Sequence, residues 1–450
     1  FLSSFGPTFT PLPRWDVVAI FFVLATRLKL PVFITDFAKA YLGAKVASGG
    51  EPVFVKQPPG YEVPGRESDV YELRRAAYGL PQSGRAFHLG VKTKLDELNF
   101  VSISDDVTLY VGRRKGDYVL FILYVDDGLI AGKKDVVEDV TGQLQEEFDV
   151  TFKGAVNGRT FLGRDIDFDQ DSGKTVVRVT SQIAKALKLH GFEDAKVVHM
   201  PIQPGIVYKS YDGSAIRPRE YLSAAGSLLF IATTRPDIQF AIGIASRFSS
   251  NPGPKHWDLV KRIFAYLKAT TMVGLSIGAD RSSGGELVAY VDADHAGDIE
   301  SRRSTTGVAI QLDGSTIHTV SRRQQSVQLS TFQAELSAIS VALTELEWYS
   351  SIISTLPIGN SAPLRILNDN KAGVDALHSP TYMEEKKQHD VKLKFVREQI
   401  EREFVELKWI PGTENIADLL TKALPARRVL ELGKRYGLIG WPTDGTWGAC

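Results

Sequence analysis

Phe121-Ile-Leu-Tyr-Val-Asp-Asp-Gly-Leu-Ile-Ala-Gly132 places a pair of carboxylates and a glycine between two apolar runs. Asp127-Gly128 flanked by strand-forming residues is a hairpin signal, because glycine accepts the positive φ that a tight primed turn demands. Two readings follow. In the plain one, the aspartates face water at the end of an ordinary β-hairpin. In the other, Asp126 and Asp127 sit at the tip of a buried hairpin, where neighbouring like charges are tolerable if a divalent cation neutralises them.

Around this stretch lie 450 residues, 43% hydrophobic and 24% charged, the profile of a soluble globular protein. That length predicts about two to four domains. The longest apolar run near the start, Val17 to Ala25, is too short to span a bilayer, so no membrane partner is expected. The first residue is Phe1, and a fragment or processed piece of a longer chain is expected. The single cysteine, Cys450, excludes internal disulfides and cysteine-based zinc sites within these residues. Lysine and arginine (53) balance aspartate and glutamate (53), so any nucleic-acid binding must use local basic patches. Paired bases recur at Arg74-Arg75, Arg113-Arg114, Lys133-Lys134, Arg302-Arg303, Arg322-Arg323, Lys386-Lys387 and Arg427-Arg428, each equally readable as a solvated face.

Upstream of the hairpin, Pro31 to Leu42 reads as a short strand ending at Asp36 and running into a helical turn. Asp36 is either the N-cap of that turn or a carboxylate at a strand end, placed to meet a metal ion held by another hairpin. Downstream, residues 133 to 155 predict one amphipathic helix through Val137, Val140, Leu144 and Phe148. Residues 160 to 180 alternate like strands around Gly163 and a turn at Gln170 to Gly173, and 181 to 191 and 219 to 271 are helical. His256 and Trp257 read better as buried helix anchors than as stacking platforms.

After a linker at Gly284-Gly285 the pattern restarts. Strands are predicted at Leu287 to Asp292, Gly307 to Leu312 and Ser315 to Val320, with Asp313-Gly314 as a second hairpin turn. Ser330-Thr-Phe-Gln333 has capping-box spacing before a helix carrying Leu336, Ile339, Leu343 and Leu346 on one face. A strand from Leu364 to Asp369, further helices, a strand from Phe404 to Trp409 and a closing helix from Asn415 to Leu424 complete the order of a ribonuclease H fold. Asp292, Glu335, Asp369 and Asp418 fall on the first strand, the long helix, the fourth strand and the last helix. Singly each is a surface acid or cap. Four in this order on these elements make a candidate metal centre.

Asp36-x-x-x-Ala40-Tyr41, Tyr78-Gly-Leu-Pro-Gln-Ser83 and Tyr124-Val-Asp-Asp127, in this order, resemble the reverse transcriptase region of copia-type LTR retrotransposon Pol polyproteins. The likeness continues through Gln57-Pro-Pro-Gly-Tyr61, Phe161-Leu-Gly163, Thr234-Arg-Pro-Asp-Ile238, Asp292-Ala-Asp294, Ala334-Glu335, Asp369-Asn370 and Ala417-Asp418-x-x-Thr-Lys422, reaching about residue 425. It implies an α+β right-hand polymerase, with palm, partial fingers and thumb/connection, followed by an α/β ribonuclease H-like domain. The implied segments are 1–155 (partial fingers and palm), 156–283 (thumb/connection), 284–425 (ribonuclease H-like) and a tail, 426–450.

The implied activity is copying of RNA into DNA with degradation of the RNA strand of the hybrid. Asp36, Asp126 and Asp127 would hold two magnesium ions for polymerisation, and Asp292, Glu335, Asp369 and Asp418 two more for hydrolysis, with manganese as a substitute. Tyr41 would carry the incoming sugar and Gln82 touch the incoming nucleotide. Partners would be an RNA template, a DNA primer, the RNA/DNA hybrid and deoxynucleoside triphosphates, with a homodimer as one assembly, in cytoplasmic virus-like particles or the nucleus.

Only 35 residues precede Asp36, so the basic fingers segment of such enzymes is expected to lie outside this chain. A ribonuclease H-only protein, or a decayed copy that binds nucleic acid, therefore stands as the alternative expectation. The family's histidine before its Ile-Asp pair falls at Gln388, beside His389, and Trp409-Ile-Pro-Gly412 lacks the histidine some ribonucleases H carry near the last carboxylate.

Overall fold

Short apolar runs separated by turn residues dominate the first third of the chain, and they build one antiparallel sheet. The computed structural model describes residues 8–44, 52–104, 107–169, 172–278, 285–356, 364–379 and 391–443. Phe1, Gln170, Asp171, Gly284, residues 386–389 and Cys450, named above, lie outside the described residues. Two compact units result, Phe1–Phe21 with Leu28–Val156, and Phe22–Arg27 with Asn157–Cys450.

The chain opens with α1 (Trp15–Arg27), β1 (Val32–Phe37), α2 (Ala40–Gly43), β2 (Phe54–Lys56) and β3 (Val70–Glu72). It continues with α3 (Ser83–Glu97), β4 (Phe100–Ser104), β5 (Val107–Arg114), β6 (Asp117–Tyr124), β7 (Asp127–Ala131), α4 (Lys134–Leu144) and β8 (Val150–Ala155). Six strands pair in the order β4-β5-β6-β7-β1-β8. Phe33, Phe37, Phe121, Leu123 and Ile130 on one face pack with Phe87, Val91 and Leu95 of α3 and Val137, Val140 and Leu144 of α4. Insertion of β1 between β7 and β8 joins sequence-distant carboxylates, since Asp36 registers with Asp127.

Two expectations are corrected here. The helix foreseen over 133–155 ends at Leu144, and Val150–Ala155 becomes the edge strand β8 beside β1. Val150 and Phe152 alternate with polar residues, which suits a half-buried strand and overrides the helical spacing that stops at Phe148. The hairpin is present, but its two-residue tip is Val125-Asp126, because Tyr124 pairs with Asp127. Gly128 lies inside β7, and its lack of a side chain serves packing: a Cβ there would overlap the Thr35 hydroxyl of β1.

The second unit contains β9 (Arg159–Phe161), β10 (Arg164–Phe168), β11 (Thr175–Arg178), α5 (Thr180–His190), α6 (Pro218–Ala232), α7 (Gln239–Ser246), α8 (Pro254–Ala269) and β12 (Gly274–Ile277). Then come β13 (Leu287–Asp294), β14 (Thr305–Leu312), β15 (Ser315–Arg323), α9 (Thr331–Ser354), β16 (Leu364–Asn368), α10 (Lys371–His378), α11 (Val391–Glu401), β17 (Val405–Trp409), α12 (Ala426–Arg435) and β18 (Leu438–Ile439). A five-stranded sheet runs β15-β14-β13-β16-β17, antiparallel through β13 and parallel beyond it. Asp313-Gly314 is the foreseen turn, with φ of 50° and 75°. Ser330 caps α9 by accepting from the Gln333 backbone N–H at 3.2 Å, a contact of about 1 kcal/mol. The Gln333 side chain accepts from Leu329, not from Ser330 as a full capping box would require.

The closing helix expected from Asn415 is a single 3-10 turn, Ile416–Leu420. The segment from 426 also has structure that the sequence did not disclose. α12 buries Val429 and Leu432, and β18 pairs with β12 to complete the sheet β18-β12-β11-β10-β9.

The Thr234-Arg-Pro-Asp-Ile238 words have a structural explanation. Arg235, fully buried, donates from Nε and Nη2 to the Asp237 carboxylate at 2.9 and 2.6 Å and from Nη1 to the Thr270 carbonyl at 2.9 Å, while the Tyr266 hydroxyl donates to Asp237. Such a charge pair is tolerable in a core because its donors and acceptors are paired. His256 is buried as foreseen, accepting from the Gly253 N–H at the start of α8 and stacking on Phe248.

Candidate active sites

Two groups of carboxylates form, one in each unit. In the first, β1 delivers Asp36, the hairpin tip delivers Asp126, and β7 delivers Asp127. Pairing with Asp127 keeps Asp36 inside a strand, and Lys39 holds the N-cap position of α2, so the capping reading of Asp36 is excluded. The Phe37 N–H donates to the Asp126 carbonyl at 2.6 Å, tying the tip to β1. Val125 has φ 47°, a conformation costly for a β-branched residue. Burial first, then the Asp36 charge, pushes the carboxyls of Asp126 and Asp127 above the usual range. Asp126 Oδ1 is buried without a hydrogen-bond partner.

Lys153 was not foreseen. It is the extra residue of a β-bulge in β8, since Ile34 registers with Gly154 and Thr35 with Phe152. The bulge turns its ammonium toward Asp36, 3.4 Å away. Tyr41 lies beside this group, its ring 4.9 Å from that of Tyr78, and burial followed by the Asp126 charge raises its hydroxyl pKa. Gln82 precedes α3, with its side-chain Oε1 buried and unpartnered.

In the second unit β13 carries Asp292, α9 carries Glu335, and Asp369 follows β16. One carboxylate oxygen from each lies within 4.8 Å of the others. Asp292 is 2% exposed and Glu335 7%. Burial raises the Asp292 carboxyl to about 6, against the opposing pull of Lys422. Burial, and then the Asp292 charge, raises Glu335 to about 8. Asp418, the fourth expected member, is not in the group of three. Lys422 Nζ contacts its Oδ1 at 2.5 Å, and Arg428 Nη2 its Oδ2 at 3.5 Å.

Two amides and a hydroxyl hold the three in place. Asn368 donates to the Val291 carbonyl at 3.1 Å and to Glu335 Oε2 at 2.9 Å, and Asn415 donates to the Val291 carbonyl at 2.8 Å and to Asp369 Oδ1 at 3.3 Å. Thr421 donates to Asp292 Oδ2. A sequence signal for Asn368 existed, since Leu364, Ile366 and Asn368 share the buried side of one strand, where an amide must find partners. Nothing in the sequence marked Lys153, because a bulge is invisible to period-two alternation.

The second group suits a hard divalent cation, because its donors are carboxylate oxygens within 4.8 Å of one another whose like charges are crowded by burial. Asp36, Asp126 and Asp127 do not converge that closely, although Asp126 Oδ1 is a buried acceptor without a donor.

Residues 3–204 match the family described as reverse transcriptase (RNA-dependent DNA polymerase). The retrovirus-related Pol polyprotein from transposon TNT 1-94 of Nicotiana tabacum is 31% identical over 96% of this chain and 32% of its own length. The Pol polyprotein from transposon RE1 of Arabidopsis thaliana is 28% identical over 98% of this chain and 30% of its own. The chain thus spans about a third of the length of the curated relatives it matches. Among solved structures, a ribonuclease H1 isolated from compost is 21% identical over 30% of this chain and 93% of its own, with a TM-score of 0.23. Residues 3–204 thus match the reverse transcriptase family, and along nearly its whole length the chain resembles the Pol polyproteins of plant copia-type retrotransposons.

Proposed function

We propose that this chain copies RNA into DNA at Asp36, Asp126 and Asp127 and cuts the RNA strand of the resulting hybrid at Asp292, Glu335 and Asp369. The observation that carries the reading furthest is the convergence of three carboxylates from a strand, a helix and a strand end within 4.8 Å in a buried setting. Magnesium ions, two per site, when bound would polarise the reacting phosphate and make the attacking oxygen more acidic. Asp292 and Glu335, held by Thr421 and Asn368, are oriented before any ion arrives. Asp418, outside the group of three and paired with Lys422, would join the second set on this reading. At the first site the tie from Phe37 to Asp126 fixes the hairpin tip, Tyr41 borders the place for an incoming sugar, and Gln82 offers an acceptor to the nucleotide.

Substrates on this reading are an RNA template, a DNA primer and deoxynucleoside triphosphates. A reaction with magnesium, nucleotides and an RNA template annealed to a DNA primer, each strand differently labelled, tests both halves together. Asp126→Asn is expected to reduce primer extension at least ~1000-fold and leave RNA cutting intact, and Asp292→Asn the reverse. Cutting without extension in the wild type would leave the hydrolase alone. Neither reaction, with the hybrid still bound, would overturn the enzyme reading.

A further inference from the structure

The carboxylates of the second site are divided unequally between cations. Glu335 and Asp369 receive the amides of Asn368 and Asn415, and neither forms an ion pair with lysine or arginine among the described residues. Asp292 and Asp418 share one ammonium: Lys422 Nζ stands 3.2 Å from Asp292 Oδ2, 3.4 Å from its Oδ1 and 2.5 Å from Asp418 Oδ1. Lys422 follows the 3-10 turn directly after Thr421, which itself donates to Asp292, so the backbone there is fixed while the lysine side chain is 39% exposed. Arg428 faces the other oxygen of Asp418.

We propose that Lys422 is a positioning residue that takes the place of one divalent ion between Asp292 and Asp418 in the substrate-free protein, and leaves it when a nucleic-acid phosphate arrives to accept its ammonium. A lysine and a divalent ion cannot both be held between the same two carboxylates without strong mutual repulsion. Uptake of the second ion is thereby coupled to arrival of the substrate, because the phosphate offers the displaced ammonium a new anionic partner. The coupling is reciprocal, so the hybrid also binds more tightly once that ion is present. The inference rests on the hydrolase reading of this site.

The test uses the full chain carrying Asp126→Asn, so that the polymerase site is equally impaired in every sample, with Mn2+ as the ion and electron paramagnetic resonance as the readout. Without nucleic acid, the parent protein is expected to show isolated Mn2+, and addition of a hybrid with a non-cleavable 2′-O-methyl RNA strand is expected to produce the spin-coupled signal of two neighbouring ions. Lys422→Gln is expected to show the coupled pair without hybrid, with the second ion bound ~10-fold more tightly than in the parent, and Lys422→Arg to behave like the parent. A coupled pair in the parent without hybrid, or isolated Mn2+ in a folded Lys422→Gln protein, would overturn the proposal. Should Lys422→Gln not fold, the parent with and without hybrid decides alone. Absence of any Mn2+ signal sensitive to Asp292→Asn would instead defeat the hydrolase reading beneath it.

Discussion

The two acid groups of this chain use the same residue types in opposite settings. Asp36 and its neighbour Lys153 are 37% and 43% exposed on their side chains, beside the tip of a hairpin. Asp292 and Glu335 are almost wholly buried, and their carboxyl groups are held by a threonine, an asparagine and a lysine. An open site relies on solvent, on a strained tip at Val125 and on one surface lysine to keep its charges apart. The buried one relies on fixed dipoles, which cost the fold more while no cation is present. The first is therefore open to solvent, and the second holds its carboxylates in a fixed geometry.

The largest expected separation between the two is in pH dependence. In the metal-free protein Glu335 titrates near 8 and Asp292 near 6, both above their unfolded values. Their contribution is fully present below the unfolded carboxylate range and is lost as pH rises through the folded values. Unfolding of the second unit should thus become easier from about pH 4 to 8, by on the order of a few kcal/mol, and Glu335→Gln should flatten most of that slope. Saturating magnesium should reverse it, because ions compete with protons for the same oxygens. Thermal melts across this pH range, with and without the ion, check this; a flat profile in the absence of metal would remove the contrast. Asp126 and Asp127 shift in the same direction but stand nearer to water, so the first unit should show a shallower slope.

A smaller effect probes how the first site is built. Gly128→Ala would drive a methyl into the Thr35 hydroxyl and is expected to cost about 1–3 kcal/mol in denaturant unfolding of the first unit. Thr35→Ala in the same chain should recover part of this loss. A cost that Thr35→Ala leaves untouched would return Gly128 to the turn role first suggested by its sequence. Smallest of all, Lys153→Ala should change stability by no more than about 0.5 kcal/mol, since its ion pair with Asp36 is exposed. A loss of several times that amount would mean that the open site is organised as tightly as the buried one.

The acids of both candidate sites are legible in the sequence as candidates. Asp36, Asp126, Asp127, Asp292, Glu335, Asp369 and Asp418 were each singled out, and the structure brings three of the last four together. The order of strands and the long helix in the second unit followed from period-two and 3.6-residue spacing, and Asp313-Gly314 from its turn chemistry. Errors cluster where tertiary pairing overruled local pattern. The end of the helix at 133–155 became β8 because β1 offered an open edge, and the hairpin tip moved two residues because Gly128 was needed beside Thr35.

By itself, then, the sequence determined which acids exist, which elements carry them and which known chains they resemble, because periodicity, turn residues and short motifs are local properties. The tertiary structure alone decided that Asp36 lies against Asp127, that Lys153 turns onto Asp36 from a bulge, and that Lys422 stands between Asp292 and Asp418. Those are contacts between residues far apart in the chain or re-aimed by the backbone, and charge balance in a site depends on distances in space that no linear spacing encodes.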